Sequence, residues 1–133
     1  MTTGIDRSPG LYDPELEAMP AERRQAYQTE RLQAVVKHAY DHSPNFRCRM
    51  EAAGLTQAAI KGIEDLNRLG VLKKSSLPQL QKQDPPFGGL LAVPLAEVGR
   101  IYQSPGPIYE PEGMRLDYWR MARAFYAGGV RPG

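Results

Sequence analysis

Arg100-Ile101-Tyr102-Gln103-Ser104-Pro105-Gly106-Pro107-Ile108-Tyr109-Glu110-Pro111-Glu112-Gly113 is the stretch on which the fold of this chain turns. Its β-branched and aromatic start reads as a strand over 98–102, Ser104 to Gly106 as a turn, and Pro111 as the lead into an apolar-striped helix. Strand, loop and helix in that order commonly cradle an anion on backbone N–H groups. The residues inside this frame do not suit an anion. Proline carries no N–H, so Pro105 and Pro107 remove two donors from the arc around Gly106, Ile108 lacks a hydroxyl, and Glu110 brings negative charge. Two unit charges about 4 Å apart repel by roughly 4 kcal/mol at an effective dielectric near 20. That equals about three powers of ten in binding. An arginine such as Arg100 or Arg115 beside Glu110 would reduce the repulsion. A rigid proline-rich turn outweighs a metal site on Glu110 and Glu112, because carboxylates two residues apart are most often solvated surface.

Upstream, cap and proline signals divide the chain into helices. Asp13-Pro14 reads as an N-cap followed by proline at the first helical position, and Pro20 opens a longer helix with Glu22 near its positive end. The second half of that helix places Leu32, Val35, Val36, Ala39 and Tyr40 on one packing face. Ser43-Pro44 repeats the cap-and-proline signal, and Gly54 reads as the stop. From 55 to 83 the sequence predicts two or three short helices, with Ile60, Ile63, Leu66 and Leu69 apolar at intervals of three and Pro78 in a first turn. Seven of the twelve prolines fall between Pro78 and Pro111, a density that only loops and short strands tolerate. Within it, 98–102 is the best strand and 90–93 a weaker one. A last helix is expected from Arg115, capped by Asp117, with Tyr118, Met121, Ala122 and Phe125 as its buried stripe. Residues 1–12 read as a loose surface arm.

A chain of 133 residues has room for one domain or part of a larger one. Its net charge of +2 argues for neither nucleic acid nor an anionic membrane. Arg23, Arg24, Arg47, Arg49, Lys73 and Lys74 are interleaved with acids such as Glu22, Glu30 and Glu51 and read as solvated faces. No apolar stretch reaches the length of a bilayer span, and the start of the chain, with Asp6, does not read as a signal peptide. The single cysteine, Cys48, cannot form an internal disulfide; it reads as a small packed thiol in a reducing, cytoplasmic setting. His38 and His42 stand at the interval that lets two imidazoles share a zinc ion, but no third ligand is evident. They read as solvated or partner-facing, and no metal ligand is assigned.

The order of these signals resembles the N-terminal part of the phenylacetate–CoA ligase family, a branch of the adenylate-forming acyl-CoA synthetases. The carrying residues are Tyr12-Asp13-Pro14-Glu15-Leu16-Glu17, Arg31-Leu32-Gln33 through His38-Ala39-Tyr40, and Ser43-Pro44-Asn45-Phe46-Arg47. They continue through Ala53-Gly54, Ile63-Glu64-Asp65-Leu66, Lys74-Ser75-Ser76-Leu77 and Pro86-Phe87-Gly88 to Val98-Gly99-Arg100-Ile101 and Gly129-Val130-Arg131-Pro132-Gly133. No motif is specific alone; their order runs almost end to end.

The resemblance implies an α/β fragment: a mostly helical segment over 1–84, then over 85–133 the strand-loop-helix that starts a larger adenylate-forming domain, here incomplete. It implies ATP, magnesium and CoA as cofactors, and phenylacetate or a related aryl acid as the small carboxylic acid partner. The implied reaction forms an acyl-adenylate and then an acyl-CoA thioester. Family members are several times longer, so the chain is expected to be a fragment, inactive alone and self-associating through a partly bare Tyr118–Met121–Phe125 stripe. The family's phosphate loop resembles Ser-Ser-Gly-Thr-Thr-Gly-Lys-Pro-Thr. Aligned on its first glycine and its proline, which Gly106 and Pro111 match, the loop keeps Ser104 as the one matching hydroxyl, and Ser104 and Gly106 are the only candidates for nucleotide contact. Both threonines, the second glycine and the lysine have no counterpart, and no catalytic residue is assigned. The alternative is a non-catalytic ligase-fold binding module, or pseudoenzyme, that holds a partner or a small acid on the proline-rich loop. A small helical nucleic-acid binder is a third reading, which the charge pattern disfavours.

Overall fold

The structure is a computed structural model that describes residues 10–131. Most of the expected surface arm, together with Pro132 and Gly133, lies outside the described residues. Helix α1 spans Pro14–Glu17, α2 Ala21–His42, α3 Pro44–Ala52, α4 Leu77–Gln83 and α5 Ala122–Ala127; strand β1 spans Val98–Ser104 and β2 Ile108–Gly113. Short 3-10 turns at Gln57–Ala59, Ile63–Arg68, Lys74–Ser76 and Leu95–Glu97 fill the connections. Among the described residues, those up to Gln25 together with those from Arg115 form one compact unit, and Ala26–Met114 form the other.

In the unit of Ala26–Met114, the apolar face of α2 packs as its spacing requires. Val36 is buried against Met50 of α3, Leu55 and Ile60, with Leu32, Tyr40, Phe46, Ala59 and Leu69 around them. Val35, expected on the same face, is 60% exposed and marks the edge of the stripe. Of the apolar triplet series, Ile60 is buried whereas Ile63 and Leu66 are exposed. Ile60 lies between two separate 3-10 turns, Gln57–Ala59 and Ile63–Arg68, so the series is not carried on one continuous helical face.

Ser43 caps α3 through its hydroxyl, which accepts from the Phe46 N–H at 3.3 Å and donates to the Gly89 carbonyl at 2.8 Å. The Asn45 N–H donates to that same carbonyl at 3.0 Å, so the loop after α4 is tied to the start of α3. Gly88 lets the same loop fold back closely on α4. Its φ is +66°, and a Cβ there would stand 2.9 Å from the Leu80 Cβ. The weaker strand expected at 90–93 does not form.

β1 and β2 pair antiparallel in a two-stranded sheet, from Val98↔Gly113 to Ser104↔Ile108. The strand expected at 98–102 is present, followed by a turn. The strand-loop-helix reading needs one correction: the segment beyond the turn folds back as β2, with Pro111 inside it opposite Ile101. Pro111 is tolerated because the N–H and C=O of Tyr109, two residues earlier, both point away from β1 to the Gln81 side chain. Residues two apart in a strand share that orientation, so proline at 111 removes no ladder bond.

In the other unit, Asp13 caps α1 by accepting from the Leu16 N–H at 3.1 Å, as the Asp-Pro signal predicts. Tyr12 meets Tyr126 edge to face with centroids 5.8 Å apart, and the Arg131 guanidinium lies 3.8 Å from the Tyr126 centroid. Asp117 does cap the last helix, accepting from the N–H groups of Met121 at 2.8 Å and Ala122 at 3.0 Å. The helix starts at Ala122, however, not at Arg115. The later start rotates the stripe: Tyr118, Ala122 and Tyr126 are half-buried, while Met121 and Phe125 are 46% and 55% exposed.

Candidate functional site

Ser104 pairs with Ile108, so Pro105-Gly106-Pro107 is the whole turn of the hairpin. Of those three residues only Gly106 carries an N–H. Its φ is +107°, a backbone conformation that side-chain-bearing residues rarely take. Ser104 is half-buried at the end of β1, and its Oγ is covered with no hydrogen-bond partner among the described residues. An unpaired covered hydroxyl of this kind costs about 1–3 kcal/mol. The structure therefore brings the two candidate residues to one turn, but with a single N–H among the three turn residues and the Ser104 hydroxyl covered.

The charge of Glu110 is answered within the fold, and not by an arginine. Lys74, from the 3-10 turn Lys74–Ser76, stands 3.5 Å from its carboxylate, whereas Arg100 pairs with Glu112 at 3.3 Å. The Arg100 pKa is raised, chiefly by a hydrogen bond with the Tyr102 side chain and then by the charges of Tyr102 and Glu112. The repulsion inferred from Glu110 alone is thus partly offset, and the shortage of donors becomes the stronger argument. Beneath the turn, buried Gln81 of α4 donates to the Tyr109 carbonyl at 2.8 Å and accepts from the Tyr109 N–H at 2.9 Å. One side chain thereby satisfies both backbone groups on the outer edge of β2, as another strand would. Sequence reasoning missed Gln81 and Lys74. Nothing in a short polar-apolar helix marks which glutamine reaches a strand 28 residues on.

A phosphate group does not fit this turn as built: the lysine and hydroxyls that would face it are missing, and two of three turn residues lack donors. Among the described residues, no group of three or more His, Cys, Asp or Glu side chains is arranged to hold a metal ion. His38 and His42 are exposed on α2, as expected of solvated residues. Cys48, read as a packed thiol, is exposed, because its position on α3 lies off the face that carries Met50. Among the described residues no helix is long and apolar enough to cross a membrane.

No protein-family model matches the chain. Phenylacetate-coenzyme A ligase of Thermus thermophilus is 35% identical over 130 residues, taking in 92% of this chain and 28% of that protein. The protein of the same name from Escherichia coli is 32% identical over 127 residues, covering 90% and 28%. The chain belongs to the phenylacetate–CoA ligase family. It spans less than a third of the length of these curated relatives. The fold agrees with the family at the level of solved structures. 2-Hydroxyisobutyryl-CoA ligase in the postadenylation state, bound to an AMP adduct, superposes with a TM-score of 0.79 at 31% identity, over 98% of this chain and 29% of that one. The same ligase with 2-HIB-AMP and CoA in its thioesterification state gives 0.79 at 30% identity. In architecture the chain is a helical segment with a two-stranded sheet that matches part of a larger CoA ligase.

Proposed function

We propose that this chain serves as the opening section of an ATP-dependent carboxylic acid–CoA ligase-like protein. In this reading 1–84 is a helical segment and 85–133 begins the adenylate-forming α/β domain. The whole protein, cytoplasmic and using magnesium, would convert phenylacetate or a related aryl acid to an acyl-adenylate and then to a CoA thioester. The observation that carries the reading is the near-complete superposition of this chain on under a third of an acyl-CoA ligase. Within that protein the chain acts as scaffold, and we assign no catalytic residue to it. Of the two candidates for nucleotide contact, Ser104 and Gly106, the proposal keeps contact through the Gly106 N–H, since the Ser104 hydroxyl is covered.

The test is a chimaera in which this chain replaces the corresponding segment of the Thermus thermophilus relative, with the family-type loop placed at 104–112. The expected result is a folded protein that forms phenylacetyl-CoA. A folded chimaera that forms no thioester would remove the scaffold role. A second reading, a ligase-fold binding module without the chemistry, is favoured by the donor-poor turn. It predicts that the whole protein binds a small acid or a protein partner while ignoring labelled ATP.

Self-association follows from the same reading. Leu116, Met114 and Phe125 are 93%, 71% and 55% exposed, more apolar area than water tolerates well on a small chain. Sedimentation velocity of the 133-residue chain should show species larger than a monomer. A single monomer peak across concentration would contradict it.

A further inference from the structure

The long helix α2 ends in a feature that the ligase reading does not use. His38 and His42, the only two histidines of the chain, lie one turn apart in its last residues. Their rings lie beside each other, tilted, with centroids 4.7 Å apart and planes inclined by 47°. Two nitrogens bound cis to one metal at about 2.0–2.1 Å lie about 3 Å apart, a separation that two such rings reach by rotation about their side-chain bonds. Both side chains are exposed, so no packing opposes that adjustment. The carboxylate of Asp41, beside His42 in sequence, is already engaged. Asp41 is held 2.6 Å from the Lys37 ammonium and accepts from Gln57 Nε2 at 2.9 Å. These bonds, Lys37 first, hold its carboxyl below the usual range. The end of a helix carries partial negative charge that favours a cation. Arg47 already takes part of that advantage, donating to the carbonyls of Tyr40 at 3.0 Å and Asp41 at 2.9 Å.

We propose that His38 and His42 form a two-imidazole chelate for a late first-row divalent metal, Cu(II) foremost and Ni(II) after it, with water in the remaining positions. The ligand set selects the class. Imidazole is a poor match for magnesium or calcium, which take oxygen. A structural zinc site needs four protein ligands, and here there are two. Tetragonal Cu(II) and Ni(II) accept two cis nitrogens with the other sites hydrated, and Cu(II) heads the affinity series for a given nitrogen site. Bound metal would staple the last turn of α2 immediately before Ser43, the residue that caps α3.

The experiment uses the tag-free 133-residue chain titrated with CuCl2 by calorimetry against a weak competing chelator, with EPR on the equimolar complex. The expected result is one Cu(II) per chain coordinated by two nitrogens. His38→Ala and His42→Ala should each weaken binding about 100-fold, because the second imidazole then no longer binds intramolecularly. Ni(II) should raise the thermal midpoint of the wild type and leave that of His38→Ala/His42→Ala unchanged. Both histidines are exposed, so circular dichroism should report the same helix content in all variants. Equal Cu(II) affinity in wild type and the double variant, or no binding by the wild type, would overturn the proposal.

Discussion

Grafting Ser104-Pro105-Gly106-Pro107-Ile108-Tyr109-Glu110-Pro111-Glu112 in place of a Ser-Ser-Gly-Thr-Thr-Gly-Lys-Pro-Thr loop in a longer family member is expected to lower ATP–pyrophosphate exchange by at least about a hundredfold, the usual cost of losing one preorganised donor to developing charge. Several such groups are lost together. The graft removes a lysine and three threonine hydroxyls, and it replaces N–H-bearing residues by proline on both sides of the glycine. Glu110 adds a carboxylate, but its repulsion depends on whether a partner equivalent to Lys74 stands beside it. A second graft carrying Glu110→Gln separates the two causes. If donors dominate, both grafts fail alike; if charge dominates, the glutamine form recovers most of the exchange. Undiminished exchange in the first graft would show that this turn binds phosphate by some other arrangement. Thermal melting of the grafts checks that the loss is not unfolding, since a three-residue hairpin turn is a local change.

Met50→Ala is expected to produce the largest loss of stability from a single side chain. Met50 is 0% exposed and sits among Val36, Leu55 and Ile60, so truncation leaves a cavity that surrounding side chains cannot fill. Such changes cost about 2–5 kcal/mol, against a total of about 5–15 kcal/mol for an ordinary domain. Val35→Ala, on α2 beside the same core but 60% exposed, should stay within about 0.5 kcal/mol of the wild type. Urea unfolding followed by circular dichroism compares the two. Equal midpoints for both variants would mean that the cluster around Met50 is not the stabilising core.

Several elements were legible because their signals are local. Asp13-Pro14 and Ser43-Pro44 each combine a side chain that caps a helix with a residue that has no N–H to lose, and both helices start where that chemistry places them. The Leu32–Val36–Tyr40 face was legible for the same kind of reason, since a 22-residue helix repeats its geometry faithfully enough for spacing to name the buried side. The loop–helix boundary was not. A proline at 111 reads as a helix opener from its neighbours, and only pairing with β1 makes it an edge-strand residue. The last helix shows the same limit: Asp117 is its cap, but a turn between cap and first helical residue moved the start to Ala122 and rotated the stripe.

By itself, then, the order of residues along this chain determined the helix starts at Pro14 and Pro44, its family and the poverty of backbone donors at 105–107, because those depend on covalent structure and near neighbours. Tertiary structure alone decided that Lys74 meets Glu110, that Gln81 seals the outer edge of β2, and that the Ser104 hydroxyl is covered. Each of those contacts joins residues far apart in the chain, or depends on which face of a strand is covered. Local propensity carries no information about either.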